Sequence, residues 1–139
     1  MTKVNRAVLE RKLASLRTFI SDLGQYAELD EGARRREHYA IERLLQLLCE
    51  TAADIGLQLL KGRSGNFSAG SYREVFQHLR NDSDLPDGLA EQLVSACGMR
   101  NVITHLYDSI DLDKVIAAVD PAIALYETYL GWVIGQLDD

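Results

Sequence analysis

Residues 98–108, GMRNVITHLYD, place five chemically capable side chains within one short stretch: Arg100, Asn101, Thr104, His105 and Tyr107. An arginine stays charged, and its planar fork grips phosphate or carboxylate oxygens in pairs. A histidine, with an unperturbed pKa of about 6.5, suits proton transfer near neutral pH. Asn101 precedes His105 by four residues, so the two are neighbours on a helix surface. Its amide is placed to orient the imidazole or a bound phosphate. Arg100, Asn101 and His105 are therefore the candidate catalytic residues. His38, His78 and His105 are scattered, and no H-E-x-x-H or Cys/His cluster exists, so neither a metal site nor a cofactor is expected.

These groups need helices to position them. From residue 4 to 28, Leu9, Leu13, Leu16, Ile20, Leu23 and Ala27 recur at steps of four and three, one apolar stripe of a helix. Residues 33–61 form the longest expected helix, with Ala40, Leu44, Leu47, Leu48, Ile55 and Leu59 on one side. The loop 62–71 matches neither the phosphate-loop nor the G-x-G-x-x-G pattern, so it is given no nucleotide role. Ser71 and Glu74 fit a capping box opening a short helix to about residue 79. Pro86 suits a first helical position for a helix over about 86–107. A short helix follows over about 112–119. Asp120-Pro121 then opens the last one, with Ile123, Tyr126, Leu130, Val133 and Leu137 on its core face. No segment alternates with period two for long enough to be a strand. The expected fold is all-α: an up-and-down bundle of four main helices plus short extra helices, in a single domain over 1–139.

On a helical projection of about 100° per residue, Arg100, Thr104, Asn101, His105 and Tyr107 share one arc. Upstream, Leu89, Leu93 and Cys97 point the same way. The stripe that is apolar from Leu89 to Cys97 thus becomes polar from Arg100 onward without changing direction. A solvated face would normally lie opposite the core, so this placement suggests a polar pocket or a symmetric interface. It requires a regular helix through Gly98, a residue that often marks close approach of another backbone.

Composition bounds the rest. The 139-residue chain is long enough for a real core, and its 47% hydrophobic and 26% charged residues suit a soluble globular protein. Cys49 and Cys97 sit among apolar neighbours and are expected as buried, reduced thiols. No apolar leader or membrane-length run is evident, and a cytoplasmic protein without membrane contact is expected. Net charge is −6, split unevenly: residues 1–63 carry 11 Lys and Arg against 9 Asp and Glu, residues 64–139 only 4 against 12. Overall acidity argues against nonspecific DNA coating, and no DNA partner is expected. Arg34, Arg35, Arg36 and Arg43 form the densest cationic cluster, to be read as a solvated helix start or a local anion site. His38 and His78 are expected in surface or helix-packing roles. Tyr26, Tyr39, Tyr126, Tyr129 and Trp132 are expected as core or interface aromatics.

The stretch Arg100-Asn101-x-x-x-His105 resembles the R-x4-H signature of the HEPN superfamily, and its extension to Tyr107 resembles the R-x4-H-x-Y motif of HepT toxins. YAIERLLQLLCETAADIGLQLL (39–60) resembles that family's long second helix, and the segment from Ser71 through the motif resembles its third helix, turn and motif helix. The resemblance implies a toxin that is a metal-independent endoribonuclease. It implies a homodimer with the two motifs facing each other across the interface. It also implies a minimal nucleotidyltransferase antitoxin that transfers AMP groups onto Tyr107. RNA carries its own nucleophile, the 2′-OH, so His105 would move its proton while Arg100 grips the phosphate. A second His and Arg would come from the two-fold partner, and the products would be a 2′,3′-cyclic phosphate and a 5′-OH. By projection, AMP on Tyr107 would put a phosphate beside Arg100 and block RNA entry. A noncatalytic HEPN subunit that binds a nucleotidyltransferase and its substrate, or a helical dimerisation module without chemistry, are the other classes compatible with these residues.

Overall fold

The computed structural model describes residues 5–64 and 67–137. Asn5 caps α1 (Arg6–Ala27) by accepting from the Val8 N–H, and the expected stripe Leu9, Leu13, Leu16, Ile20 and Leu23 is buried. Asp30 does the same for α2 (Glu31–Arg36) through the Ala33 N–H. Glu37, at φ −99° and ψ 20°, separates α2 from α3 (His38–Ser64). The single helix expected over 33–61 is therefore two. Its buried face also differs: Ile41, Leu45, Leu48, Cys49, Ala52, Ile55 and Leu59 are buried, whereas Ala40, Leu44 and Leu47 are only half-buried. α3 runs three residues beyond 61; residues 65 and 66 of the expected loop lie outside the described residues.

Ser71 caps α4 (Tyr72–Ser83), accepting from the Glu74 N–H. The Glu74 carboxylate answers by accepting from the Gly70 N–H, one residue before the usual capping-box partner. α4 runs past the expected residue 79 to Ser83 and ends on Asp84, the one non-glycine residue at positive φ (62°) among the described residues. Pro86 stands as the cap of α5 (Asp87–His105) rather than in its first turn. α5 stops at Leu106, and residues Tyr107–Ser109 form a 3-10 turn, so the expected helix over 86–107 ends two residues early. Asp111 caps α6 (Leu112–Ala117), and α7 (Val119–Leu137) follows. Asp120 and Pro121 lie inside its first turn.

The long helices α1, α3, α5 and α7 make the bundle, and no strand occurs among the described residues. α1 packs on α3 and α7, α5 on α3 and α7, and α4 covers α3 and α5. α7 presents Val119, Ala122, Leu125, Tyr126, Tyr129 and Val133 to the core. Of its expected core residues, Tyr126 and Val133 are buried, whereas Ile123, Leu130 and Leu137 are half-buried. Tyr129 is wholly buried, and its hydroxyl donates to the Ala52 carbonyl at 2.8 Å. Gly56 sits where α3 meets α4: a Cβ there would come within 2.8 Å of both Leu79 and Val75.

Two of the four clustered arginines are tied into the fold, whereas Arg36 and Arg43 are exposed. Arg34 donates to the carbonyls of Ala27, Leu29 and Ile116 and pairs with Asp120, tying α1 and α6 to α2. Arg35 pairs with Glu31 and Asp113. His78, partly exposed, pairs with Asp82 of its own helix and makes a T-shaped contact with Phe67. Among the described residues, no helix is long and apolar enough to cross a membrane.

Candidate functional site

α5 carries the motif and α3 backs it. Leu89, Leu93 and Cys97 are buried along the α5 stripe, and Arg100 continues that stripe half-buried, as projected. Its guanidinium is held on three sides. Nε and Nη2 both donate to Glu50 Oε2 of α3, at 2.9 and 2.7 Å. Nη1 donates to Asn101 Oδ1 at 3.2 Å, and the cation lies 4.9 Å from the centre of the Tyr72 ring. A guanidinium has five N–H bonds; three are used here, so the Nη1 side keeps donor capacity for a ligand. Burial and the Glu50 carboxylate raise the Tyr72 phenol above its ordinary range, so it faces the cation as a neutral ring.

Asn101 is exposed and accepts from Arg100; of the two roles expected for its amide, a contact with the His105 imidazole is not made. The Thr104 hydroxyl spends its proton on the Arg100 carbonyl at 2.8 Å. His105 ends α5 with its imidazole exposed. A groove of about 610 Å³ opens beside the guanidinium, lined by Asp54, Tyr72, Arg73, Arg100 and Asn101 among others.

Tyr107 is where projection failed. Leu106, at φ −127° and ψ 41°, leaves helical geometry and swings the tyrosine toward the start of α3. Its hydroxyl donates to Glu42 Oε1 at 2.9 Å, and its ring stacks on Tyr39, centroids 6.5 Å apart. Glu42 Oε2 accepts from His38 Nδ1 at 2.6 Å. Glu42 is only 3% exposed, the one buried charged side chain among the described residues. Partial burial, then the hydrogen bond to Glu42, push the Tyr107 phenol up to about 12. Glu42 and Glu50 are eight residues apart on one helix, about 12 Å at 1.5 Å per residue. The phenol oxygen and the guanidinium are held by these different carboxylates. A phosphate on Tyr107 therefore starts away from Arg100 of the same chain, not beside it.

Glu42, His38 and Glu50 are the site residues that motif reasoning missed. The sequence did carry a signal: Glu42, Gln46 and Glu50 recur every fourth residue through the leucines of α3, and Gln46 donates to Glu50 at 3.1 Å. Beneath this stripe Cys49 and Cys97 are buried, free and 3.7 Å apart. That hydrogen bond and burial keep the Cys49 thiol protonated. No group of three or more potential metal-ligating side chains is assembled among the described residues.

Known proteins share this architecture. A cytosolic protein of unknown function from Bacillus subtilis, YutE, superposes with a TM-score of 0.83 at 17% identity, covering 99% of this chain and 94% of its own. A tri-AMPylated HEPN toxin of Shewanella oneidensis, solved in complex with an MNT antitoxin, superposes with a TM-score of 0.78 at 22% identity, covering 93% and 97%. In sequence, a tRNA nuclease HepT from Aphanizomenon flos-aquae is 30% identical over 133 residues, 94% of this chain and 90% of that protein. The family described as Ribonuclease HepT-like matches residues 9–130. With the Arg100–Tyr107 motif inside the matched span, the chain belongs to the HepT-like ribonuclease family.

Proposed function

We propose that this protein is the toxin of a toxin–antitoxin pair, an endoribonuclease that cuts RNA in the cytoplasm without a metal ion. A minimal nucleotidyltransferase antitoxin silences it by AMPylating Tyr107. The observation that carries the reading is the arrangement at Arg100: a guanidinium fixed by Glu50, Asn101 and Tyr72, donor capacity left at Nη1, and an exposed His105 one turn on.

The chemistry follows from these groups. RNA lies in the groove beside Arg100, with Arg73 adding positive charge and Tyr72 an aromatic wall. Arg100 offers Nη1 to a non-bridging oxygen and stabilises charge that builds up on the phosphorane. His105 removes the 2′-OH proton, and that oxygen attacks the phosphorus. The 5′ oxygen leaves with a proton from the second histidine of a two-fold dimer. The products are a 2′,3′-cyclic phosphate and a 5′-OH. Asn101 and His105, exposed on the motif's outer edge with Leu106 (57% exposed) beside them, offer the dimer face. Transfer RNA is the first substrate class to test, because the 30%-identical relative is a tRNA nuclease. AMP on Tyr107 closes the motif end by occupying the space beside it, and its phosphate adds charge that repels RNA.

Cleavage of a total tRNA pool tests this reading. Wild type cuts in the presence of a chelator, and Arg100→Ala and His105→Ala lose about 10²-fold or more. Equal cutting by these variants would refute it.

A further inference from the structure

We infer that Glu42 is the catalytic base for modification of Tyr107, with His38 as its positioning residue; this rests on the AMPylation reading above. A buried carboxylate is costly unless its oxygens are satisfied. Here both are: Oε1 by the Tyr107 hydroxyl, Oε2 by His38 Nδ1–H. The pairing is specific to the acceptor. The phenol donates to one oxygen while the imidazole fixes the other, so the carboxylate plane is set toward the phenol.

Chemistry requires such a group. A phenol held near 12 is almost wholly protonated at neutral pH and is a poor nucleophile by itself. Its proton has to leave as the bond to phosphorus forms, and the only described acceptor on that hydroxyl is Glu42. The step balances. Tyr107 Oη bonds to the α-phosphorus of ATP presented by the nucleotidyltransferase. The bond from that phosphorus to its bridging oxygen breaks, and pyrophosphate leaves. The phenolic proton passes to Glu42 Oε1 and from there to solvent. Tyr39, 70% exposed, stacks on the Tyr107 ring, and Tyr107 itself is 40% exposed, so the pair stands at the surface where a partner can reach it. The groups facing the phenol oxygen are Glu42, Tyr39 and, through Glu42, His38.

Single-turnover transfer from ATP, with the purified toxin and its partner minimal nucleotidyltransferase, tests this by intact mass. Glu42→Gln keeps the volume and one acceptor but cannot take a proton. The expected result is a loss of about 10²-fold or more at saturating ATP, with half-saturation unchanged. Residual transfer then needs preformed phenolate, so its rate climbs about tenfold per pH unit while wild type does not. Glu42→Asp recovers part of the rate. His38→Ala loses rate without changing half-saturation, and His38→Asn, which can still donate to the carboxylate, restores it. Thermal melts establish that each variant is folded. Should Glu42→Gln unfold, the Glu42→Asp rate and the wild-type pH profile decide. A wild-type rate rising tenfold per pH unit, or Glu42→Gln within threefold of wild type, overturns the inference: the first means direct phenolate attack, the second a base supplied by the nucleotidyltransferase. Wild type that gains no adenylate, or gains it away from Tyr107, overturns the AMPylation reading as well.

Discussion

The two ends of the motif rest on the same face of α3 but in different ways. At one end Glu50 meets a full positive charge, half-buried, with two hydrogen bonds from one guanidinium to one oxygen. At the other Glu42 is buried and meets a neutral phenol and an imidazole. The first arrangement fixes a cation in a chosen orientation and leaves one edge for a ligand. The second holds a proton on a potential nucleophile. One helix, through carboxylates eight residues apart, thus supports a phosphate-binding group and a modifiable group as separate units.

That separation can be broken from either side. Tyr107→Phe has the largest effect: adenylate incorporation falls to nothing by intact mass, while tRNA cleavage stays within about tenfold of wild type. Loss of both together would mean that the two ends act as one unit. His105→Ala is next, lowering cleavage by about 10²–10⁴-fold while Tyr107 is still modified. Glu50→Ala removes the fixing partner of Arg100. It should lower cleavage about ten- to hundredfold through misplacement of the guanidinium and cost about 1–3 kcal/mol of stability, read from cleavage rates and denaturant melts; adenylation at Tyr107 should hardly change. Gly98→Ala has the smallest effect. An open helical position gains up to about 1 kcal/mol on adding a methyl group, so the monomer melts slightly higher. A lower melting temperature would contradict the open space seen around Gly98.

The phenol adds a pH dependence with a definite sign. Its folded value, near 12, lies above the ordinary tyrosine range. The Tyr107–Glu42 bond therefore contributes fully below about pH 10 and is lost as pH rises through 12. Tyrosine-selective NMR titration should show this signal moving down toward pH 10 in Glu42→Gln.

Much of this was legible in the residues. The α1 stripe was read to within two residues at its start, since steps of four and three leave little choice. Arg100 on the buried side of α5 followed from projection, and the all-α bundle from the absence of alternation. Other features depend on packing. The end of α5 at Leu106 has neither glycine nor proline to announce it, so Tyr107 was projected onto a helix it does not join. The break at Glu37 is a small backbone departure, and the hydrogen bond from its N–H to the Ala33 carbonyl preserves most of the helical pattern. His38, expected at the surface or in helix packing, is half-buried and bonded to Glu42; the burial of that carboxylate, four residues on, depends on tertiary packing that its sequence position does not announce. The α7 face was misjudged because that helix is apolar on nearly all sides, which leaves the buried face to the neighbours. Burial of Cys49 and Cys97 was expected; their approach to 3.7 Å depends on how α3 meets α5.

The most direct test of the central claim is the chemistry of the cut. Total tRNA is incubated with the purified protein in excess chelator, and the product ends are mapped. The expected ends are 2′,3′-cyclic phosphate and 5′-OH, produced about 10²-fold or more slowly by Arg100→Ala and His105→Ala. Cleavage that requires added metal, leaves 5′-phosphate ends, or proceeds equally well in both variants would contradict that claim.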